Sequence, residues 1–133
     1  MILLVEDDPA DVELTLRALK TINLANHIQV VRDGAAALDF LRTTKELPKV
    51  VMLDLKLPKL SGIEVLTAIR KDPRHKLIPV VVMTSSREEP DVAACYALGV
   101  NSYIVKPVEF EAFAKAVAEV GLYWMLLNQP PRV

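Results

Sequence analysis

Apolar residues fall into short continuous runs along this chain, and polar residues with helical spacing separate the runs. Four of the runs lead directly into polar residues: Ile2–Asp8 (ILLVEDD), Val50–Asp54 (VVMLD), Val80–Thr84 (VVVMT) and Tyr103–Pro107 (YIVKP). Runs that are rich in β-branched residues and lack polar alternation predict strands buried on both faces of a parallel sheet. A further run, Ile28–Arg32, predicts a strand between the first two.

The segments between these runs carry helix signals. Asp8-Pro9 predicts a helix start, and Ser61 with Glu64 forms a capping box at another. A fourth helix is expected from about Glu88 to Leu98, and a fifth from near Val108. The resulting five β–α repeats predict an α/β fold, a doubly wound, five-stranded parallel sheet with five helices. The flavodoxin-like strand order 2-1-3-4-5 would place the first and third strands side by side.

Composition narrows the class of protein. The chain has 133 residues, of which 52% are hydrophobic and 25% charged, so we expect one globular domain over residues 1–127 and a short tail over 128–133. A net charge of −1 gives no reason to expect nucleic acid or a membrane as a partner. Cys95 is the only cysteine, which excludes an internal disulfide and favours a reducing, cytoplasmic compartment.

The polar residues at the strand ends suggest phosphate chemistry. Because parallel strands present their carboxyl ends at one edge of the sheet, Glu6, Asp7, Asp54, Thr84 and Lys106 should meet there. Two like charges about 4 Å apart repel by roughly 4 kcal/mol at an effective dielectric near 20. A hard cation with oxygen ligands, most naturally Mg²⁺, would relieve that repulsion.

Each residue also has a predicted chemical role. Asp54 is the candidate nucleophile, since a carboxylate can attack a phosphoryl group and form an acyl phosphate. Asp7 and, more remotely, Glu6 would hold the metal, while Lys106 and Thr84 would contact phosphoryl oxygens. Simple capping explains two other polar residues better: Asp8 at the first helix, and Ser86, which stands three residues before Glu89.

Together, these motifs closely resemble the receiver domain of two-component response regulators, over almost the whole chain. The resemblance implies that Glu6-Asp7 is the acidic pair, Asp54 the phosphoacceptor, and Thr84 and Lys106 the phosphoryl-binding residues. It further implies that the Lys56 carbonyl completes the Mg²⁺ shell, and that Tyr103 is an aromatic switch that turns inward as Thr84 moves. The Lys106-Pro107 peptide would be cis. A sensor histidine kinase would supply the phosphoryl group.

The segments IRKDPRHKLIPVVVMTSS and SYIVKPVEFEAF, with the tail LYWMLL, resemble the single-domain regulators associated with bacterial phytochromes. We expect no output domain after the fifth helix and therefore expect output through protein contacts. Phe110, Phe113, Val117, Val120 and Trp124 form one stripe that predicts core packing. The end of the helix, at 122–127, is apolar on nearly all sides, which favours a homodimer through the last helix and tail. The alternative is that the tail folds back on its own surface.

Other functions fit less well. An aspartyl phosphatase would need a second carboxylate acid soon after the nucleophile, where this chain has Lys56. An FMN carrier would need a Ser/Thr/Gly phosphate loop after the first strand, where EDDP is acidic. A degenerate docking receiver would not need the full set of five residues. A phosphorelay intermediate remains an alternative to a terminal regulator, and in neither case is the chain an enzyme with a small-molecule product.

Overall fold

The computed structural model describes residues 1–106 and 109–131. Its sheet has five parallel strands in the order β2-β1-β3-β4-β5, which confirms the predicted fold and strand order. The strands are β1 (Ile2–Val5), β2 (Ile28–Val31), β3 (Val50–Leu53), β4 (Val80–Thr84) and β5 (Ser102–Val105).

Helices connect successive strands and cover both faces of the sheet. They are α1 (Pro9–Thr21), α2 (Gly34–Thr43), α3 (Gly62–Lys71), α4 (Glu89–Ala97) and α5 (Phe110–Leu122), with a short 3₁₀ turn at Ala25–His27 and a π-helical turn at Tyr123–Leu127. None of the helices within the described ranges is long and apolar enough to cross a bilayer.

Local sequence explains where the helices begin. The Asp8 carboxylate accepts a hydrogen bond from the Ala10 N–H at 2.9 Å, and Pro9 occupies the first helical position of α1. The predicted capping box at α3 is present, with Ser61 and Glu64 each accepting a hydrogen bond from the other's backbone N–H. Gly99 follows α4 with φ +71°, a conformation that glycine adopts without steric cost.

Two hydrophobic clusters flank the sheet. Helices α2, α3 and α4 cover one face, where Leu41, Leu66 and Ile69 are fully buried. Helices α1 and α5 pack together on the other face, where Leu19 and Val117 are fully buried. At about 25 cal/mol for each Å² of apolar surface removed from water, these two clusters supply the main force that holds the site's scaffold in place.

Two predictions about burial need correction. The sequence of the run Tyr103–Pro107 predicts a strand buried on both faces, but β5 is an edge strand and each of its residues is half-buried. Phe110 was placed in the core stripe of the last helix, yet 46% of its surface is exposed. It is the first residue of α5, and the buried part of the stripe begins at Phe113.

Candidate functional site

The register of the two central strands brings Glu6 and Asp54 together. Val5 of β1 is the partner of Leu53 of β3, so the next residue of each strand emerges at the same edge. The Asp54 N–H donates to the Val5 carbonyl at 3.1 Å and continues the ladder by one more bond. Both acidic residues are buried, with 3% of Glu6 and 8% of Asp54 exposed. The predicted convergence of these two residues therefore holds.

Asp7 completes a group of three carboxylates. One oxygen from each of Glu6, Asp7 and Asp54 lies within 4.8 Å of the other two. These donors are all hard oxygens, and two of the three residues are buried, so the group fits a divalent cation of the Mg²⁺ type. Lys56 lies beside this group, and its N–H donates to Asp54 Oδ1 at 3.3 Å. Its carbonyl remains a predicted ligand.

Lys106, the residue after β5, connects to this acidic group. Its ammonium donates to Asp54 Oδ2 at 3.2 Å, to Asp11 Oδ2 at 2.7 Å and to a Glu6 carboxylate oxygen. Only 12% of the lysine side chain is exposed. An ammonium has three N–H donors, and here each of the three carboxylates accepts one.

Burial and charge shift the acid–base behaviour of this network. Burial raises the pKa of Glu6 to about 7, with Asp54 adding to the rise and the hydrogen bond from Lys106 opposing it. For Lys106, burial acts to lower the pKa, but hydrogen bonds to Asp11 and Glu6 and the charge of Asp54 outweigh it and raise the pKa. The lysine is therefore fully charged at neutral pH, and Glu6 titrates near neutrality.

Sequence reasoning missed Asp11. This residue lies in the first turn of α1, five residues beyond Glu6, and it contacts a lysine 95 positions away in the chain. Its signal in the sequence was weak, because an acidic residue in the first turn of a helix has an ordinary explanation in the helix dipole.

Thr84 and Tyr103 meet through the loop that follows β4. Thr84 is fully buried, and its hydroxyl oxygen accepts a hydrogen bond from the Ser86 N–H at 3.3 Å. The Tyr103 hydroxyl donates to the Ser86 carbonyl at 3.0 Å, and its ring packs against the cluster beneath α2, α3 and α4. The predicted switch pair is thus joined through one intermediate residue. The predicted cis peptide at Lys106-Pro107 lies outside the described residues.

The predicted capping role of Ser86 is wrong. Glu88 is the N-cap residue of α4 and makes no side-chain cap. The Ser86 hydroxyl instead donates to Asp91 Oδ2 at 2.5 Å and accepts from the Glu88 N–H at 3.3 Å. Ser86 therefore ties the loop after Thr84 to the first turn of α4.

Gly62 brings the start of α3 against the backbone that carries Asp54. Its N–H donates to the Leu55 carbonyl at 2.9 Å. A Cβ at this position would lie 2.3 Å from the Asp54 carbonyl oxygen and 2.6 Å from the Leu55 Cα. Only glycine permits this approach, which holds the loop after β3 in place.

Comparison with known proteins agrees with this geometry. The family model described as the response regulator receiver domain matches residues 2–118. The chain belongs to this family. Receiver domains are generally signalling modules that work with sensor histidine kinases.

Two curated relatives cover nearly the whole chain. A probable methanogenesis regulatory protein, FilR2 of Methanothrix harundinacea, is 43% identical over 98% of this chain and 87% of its own length. The response regulator Rcp1 of a Synechocystis strain is 42% identical over 94% of this chain and 88% of its own length.

Solved structures give the same result. The phosphorylated cyanobacterial phytochrome response regulator RcpA superposes with a TM-score of 0.92, at 37% identity over 98% of this chain and 97% of its own. The bacteriophytochrome response regulator RtBRR is 52% identical over 98% of this chain and 82% of its own, with a TM-score of 0.76. Rcp1 has been solved in a Mn²⁺-bound form, with a TM-score of 0.88 at 38% identity over 98% of each chain. The resemblance to phytochrome-associated regulators is confirmed.

Proposed function

We propose that this receiver domain accepts a phosphoryl group on Asp54 and passes the signal on through protein contacts. The observation that carries the proposal is the position of Asp54, whose buried carboxylate lies 3.2 Å from the Lys106 ammonium and is grouped with the carboxylates of Glu6 and Asp7. Phosphoryl transfer needs positioning and charge neutralisation more than proton transfer, and this site supplies both.

Asp54 acts as the nucleophile. Its carboxylate oxygen attacks phosphorus in line with the departing nitrogen of a phosphohistidine, so an O–P bond forms as the P–N bond breaks. The electron pair of that bond returns to the imidazole, which takes up a proton as it leaves. Lys106 and the Thr84 hydroxyl hold the phosphoryl oxygens of the aspartyl phosphate that forms.

Glu6, Asp7, Asp54 and the Lys56 carbonyl would hold Mg²⁺, which neutralises phosphoryl oxygen charge when bound. The Mn²⁺-bound form of Rcp1 supports a divalent cation in this class of site. The carboxylate oxygens of Glu6, Asp7 and Asp54, which lie within 4.8 Å of one another, suit such an ion.

The response to phosphorylation passes through Thr84 and Tyr103. Movement of Thr84 toward a phosphoryl oxygen would break its contact with the Ser86 N–H and shift the loop whose carbonyl accepts the Tyr103 hydroxyl. Since the Ser86 hydroxyl also binds Asp91, the shift reaches α4. The α4–β5 face is therefore the surface where the phosphorylated state would differ.

We infer that the phosphoryl donor is a sensor kinase of the phytochrome type. The likeness to RcpA and to RtBRR at 52% identity supports this choice. Phosphotransfer from a phytochrome-class kinase should therefore be faster than from an unrelated histidine kinase.

We also infer a homodimer through the last helix and tail. Tyr123, Leu126 and Leu127 are 48%, 65% and 75% exposed and lie together on the π-helical turn. Met125 packs inward, and its carbonyl accepts a hydrogen bond from Lys49 at 3.2 Å, so the turn is held in place while its outer side remains uncovered. Leu126→Ser with Leu127→Ser should lower the association constant measured by sedimentation equilibrium. The same value in both proteins would contradict the dimer interface.

Intact mass after incubation with acetyl phosphate tests the phosphoacceptor. One added phosphoryl group should appear in the wild type, depend on Mg²⁺ and be absent in Asp54→Asn. Asp39→Asn is the matched control, because Asp39 is an exposed aspartate on α2 that pairs with Arg42 and lies outside the site. An adduct that persists in Asp54→Asn, or none from acetyl phosphate or from a histidine kinase, would contradict the proposal.

A further inference from the structure

Asp11 is a third carboxylate partner of Lys106 and differs from the other two. Glu6 and Asp54 both belong to the group of oxygens within 4.8 Å that fits a divalent cation, and Asp11 does not. Its Oδ2 is 2.7 Å from the Lys106 ammonium, closer than Asp54 Oδ2 at 3.2 Å. About 25% of the Asp11 side chain is exposed.

Asp11 is mounted on rigid structure. Its N–H lies 3.4 Å from the capping Asp8 carboxylate, and its carbonyl accepts a hydrogen bond from the Thr15 hydroxyl at 2.7 Å. Helix α1 is in turn buried through Val12 and Leu19 against the sheet and α5. A carboxylate on such an element can hold a flexible four-carbon lysine side chain in a defined place.

The hydrogen-bond balance of Lys106 changes when Asp54 is phosphorylated. Its three N–H donors are used by Glu6, Asp11 and Asp54. Once the Asp54 oxygen carries phosphorus, the N–H that it accepted is released to a phosphoryl oxygen. Glu6 also belongs to the carboxylate group that fits a cation. Asp11 is therefore the one of the three partners that contacts neither the phosphoryl group nor the cation.

We propose that Asp11 is a positioning residue, which keeps the ammonium of Lys106 aimed at the incoming phosphoryl group while Asp54 and Glu6 change partners. This inference rests on the proposed phosphoacceptor function of Asp54. Asp11 contacts no reacting atom and acts through Lys106. Asp11 takes no part in the bond changes of the transfer. With acetyl phosphate, the Asp54 oxygen bonds to phosphorus, the bond between phosphorus and the bridging oxygen breaks, and acetate leaves with the electron pair.

The experiment measures the initial rate of phosphorylation against acetyl phosphate concentration at saturating Mg²⁺, with Mg²⁺ affinity determined separately by calorimetry. Asp11→Asn should lower the maximal rate about tenfold, the low end for losing one charge-assisted hydrogen bond. The half-saturating donor concentration and the Mg²⁺ affinity should stay within about twofold of the wild type, because Asp11 touches neither ligand. Asp11→Glu should recover part of the lost rate.

Two controls separate positioning from structure. Glu13→Gln removes the same charge from the same helix at an exposed position that pairs with Arg17, and should leave the rate unchanged. In a Lys106→Met background, Asp11→Asn should change the residual rate by less than about twofold, because the residue it acts through is gone.

The outcomes are distinct. A wild-type rate in Asp11→Asn, or the same fractional loss with and without Lys106, would overturn the positioning role. A wild type that gains no phosphoryl group from any donor would overturn the phosphoacceptor function and this inference with it. A lower maximal rate in Asp11→Asn that is seen only when Lys106 is present, with Mg²⁺ affinity retained, supports the proposal.

Discussion

Replacing Lys106 by Met removes the charge that holds three carboxylates together and keeps an unbranched apolar stem, shorter by the ammonium group. The lysine and its partners Glu6 and Asp54 are 12%, 5% and 10% exposed at the side chain, so the contacts are largely shielded from water. At an effective dielectric of 20, unit charges 3.2 Å apart attract by about 5 kcal/mol before desolvation is counted. Breaking a buried pair costs about 3–5 kcal/mol net, because the partner stays buried without its counter-ion.

The loss should depend on pH, and its sign follows from Glu6. The pKa of Glu6 in the folded protein, about 7, is above its reference value of 4.5. Its contribution to stability is therefore fully present below about pH 4.5 and is lost as pH rises through about 7. Without the ammonium the pKa of Glu6 rises further, so the carboxyl stays neutral at pH 5.5 and much of the charge repulsion disappears. We expect Lys106→Met to cost about 3 kcal/mol at pH 8 and about 1 kcal/mol at pH 5.5.

Urea unfolding in metal-free buffer at the two pH values measures this difference, with Lys115→Met as the control. Lys115 is an exposed lysine on α5, and its replacement should change stability by less than about 0.5 kcal/mol. Adding Mg²⁺ at about 100 times its dissociation constant should stabilise the folded state by about 2.7 kcal/mol and reduce the deficit of the variant at pH 8. An equal loss at both pH values, unchanged by Mg²⁺, would refute the electrostatic reasoning and leave only packing of the lysine methylenes.

Three further predictions concern the same edge of the sheet. Gly62→Ala should destabilise the protein by about 1–3 kcal/mol in urea unfolding, because its Cβ would lie 2.3 Å from the Asp54 carbonyl oxygen; a neutral or stabilising effect would contradict the close approach. Mg²⁺ affinity measured by calorimetry should fall as pH drops from 8 to 6, since protonation of Glu6 with a pKa of about 7 competes with the metal, and Glu6→Gln should flatten that profile. Tyr103→Phe should cost about 1 kcal/mol in thermal or urea unfolding, the net value of its hydrogen bond to the Ser86 carbonyl, and no change would mean that water replaces it.

The sheet and the strand-end residues of the site could be predicted from the sequence because short apolar runs indicate buried strands, and parallel strands all end at the same edge of the sheet. Each residue of β1, β3 and β4 is buried, so the apolar runs had no competing explanation. A parallel sheet then places the residue after each strand at one edge, which brings Glu6 and Asp54 together without any knowledge of tertiary contacts.

The edges of the sheet were harder to predict. An apolar run shows that a strand is partly buried, but does not show whether both faces are covered over its full length. Strand β5 has one neighbour, so its residues stay half-buried although their sequence resembles that of β4. Phe110 fits the helical period of α5, but periodicity does not show whether other parts of the protein cover the first turn of that helix.

Side-chain partners across long sequence separations could not be predicted. Asp11 and Asp91 each lie in the first turn of a helix, where an acidic residue has a sufficient local explanation in the helix dipole. Their actual partners are Lys106 and Ser86, and the choice depends on how α1 and α4 are set against the sheet. An acidic residue whose position is already explained by the helix dipole can therefore also make a long-range contact in the site, and the sequence alone does not reveal it.

The resting network has a consequence for how phosphorylation is controlled. All three N–H donors of Lys106 are already bonded to carboxylates. When a phosphoryl oxygen replaces Asp54 as acceptor, the net gain in free energy is only the difference between the two hydrogen bonds. The same exchange removes a negative charge from Asp54 and adds the larger charge of the phosphoryl group beside Glu6 and Asp7. Without a cation that exchange is unfavourable, because three carboxylates, those of Glu6, Asp7 and Asp11, and the phosphoryl group would share one ammonium. We therefore expect the proposed reaction to depend on a divalent metal, because Lys106 alone cannot balance the negative charges around it.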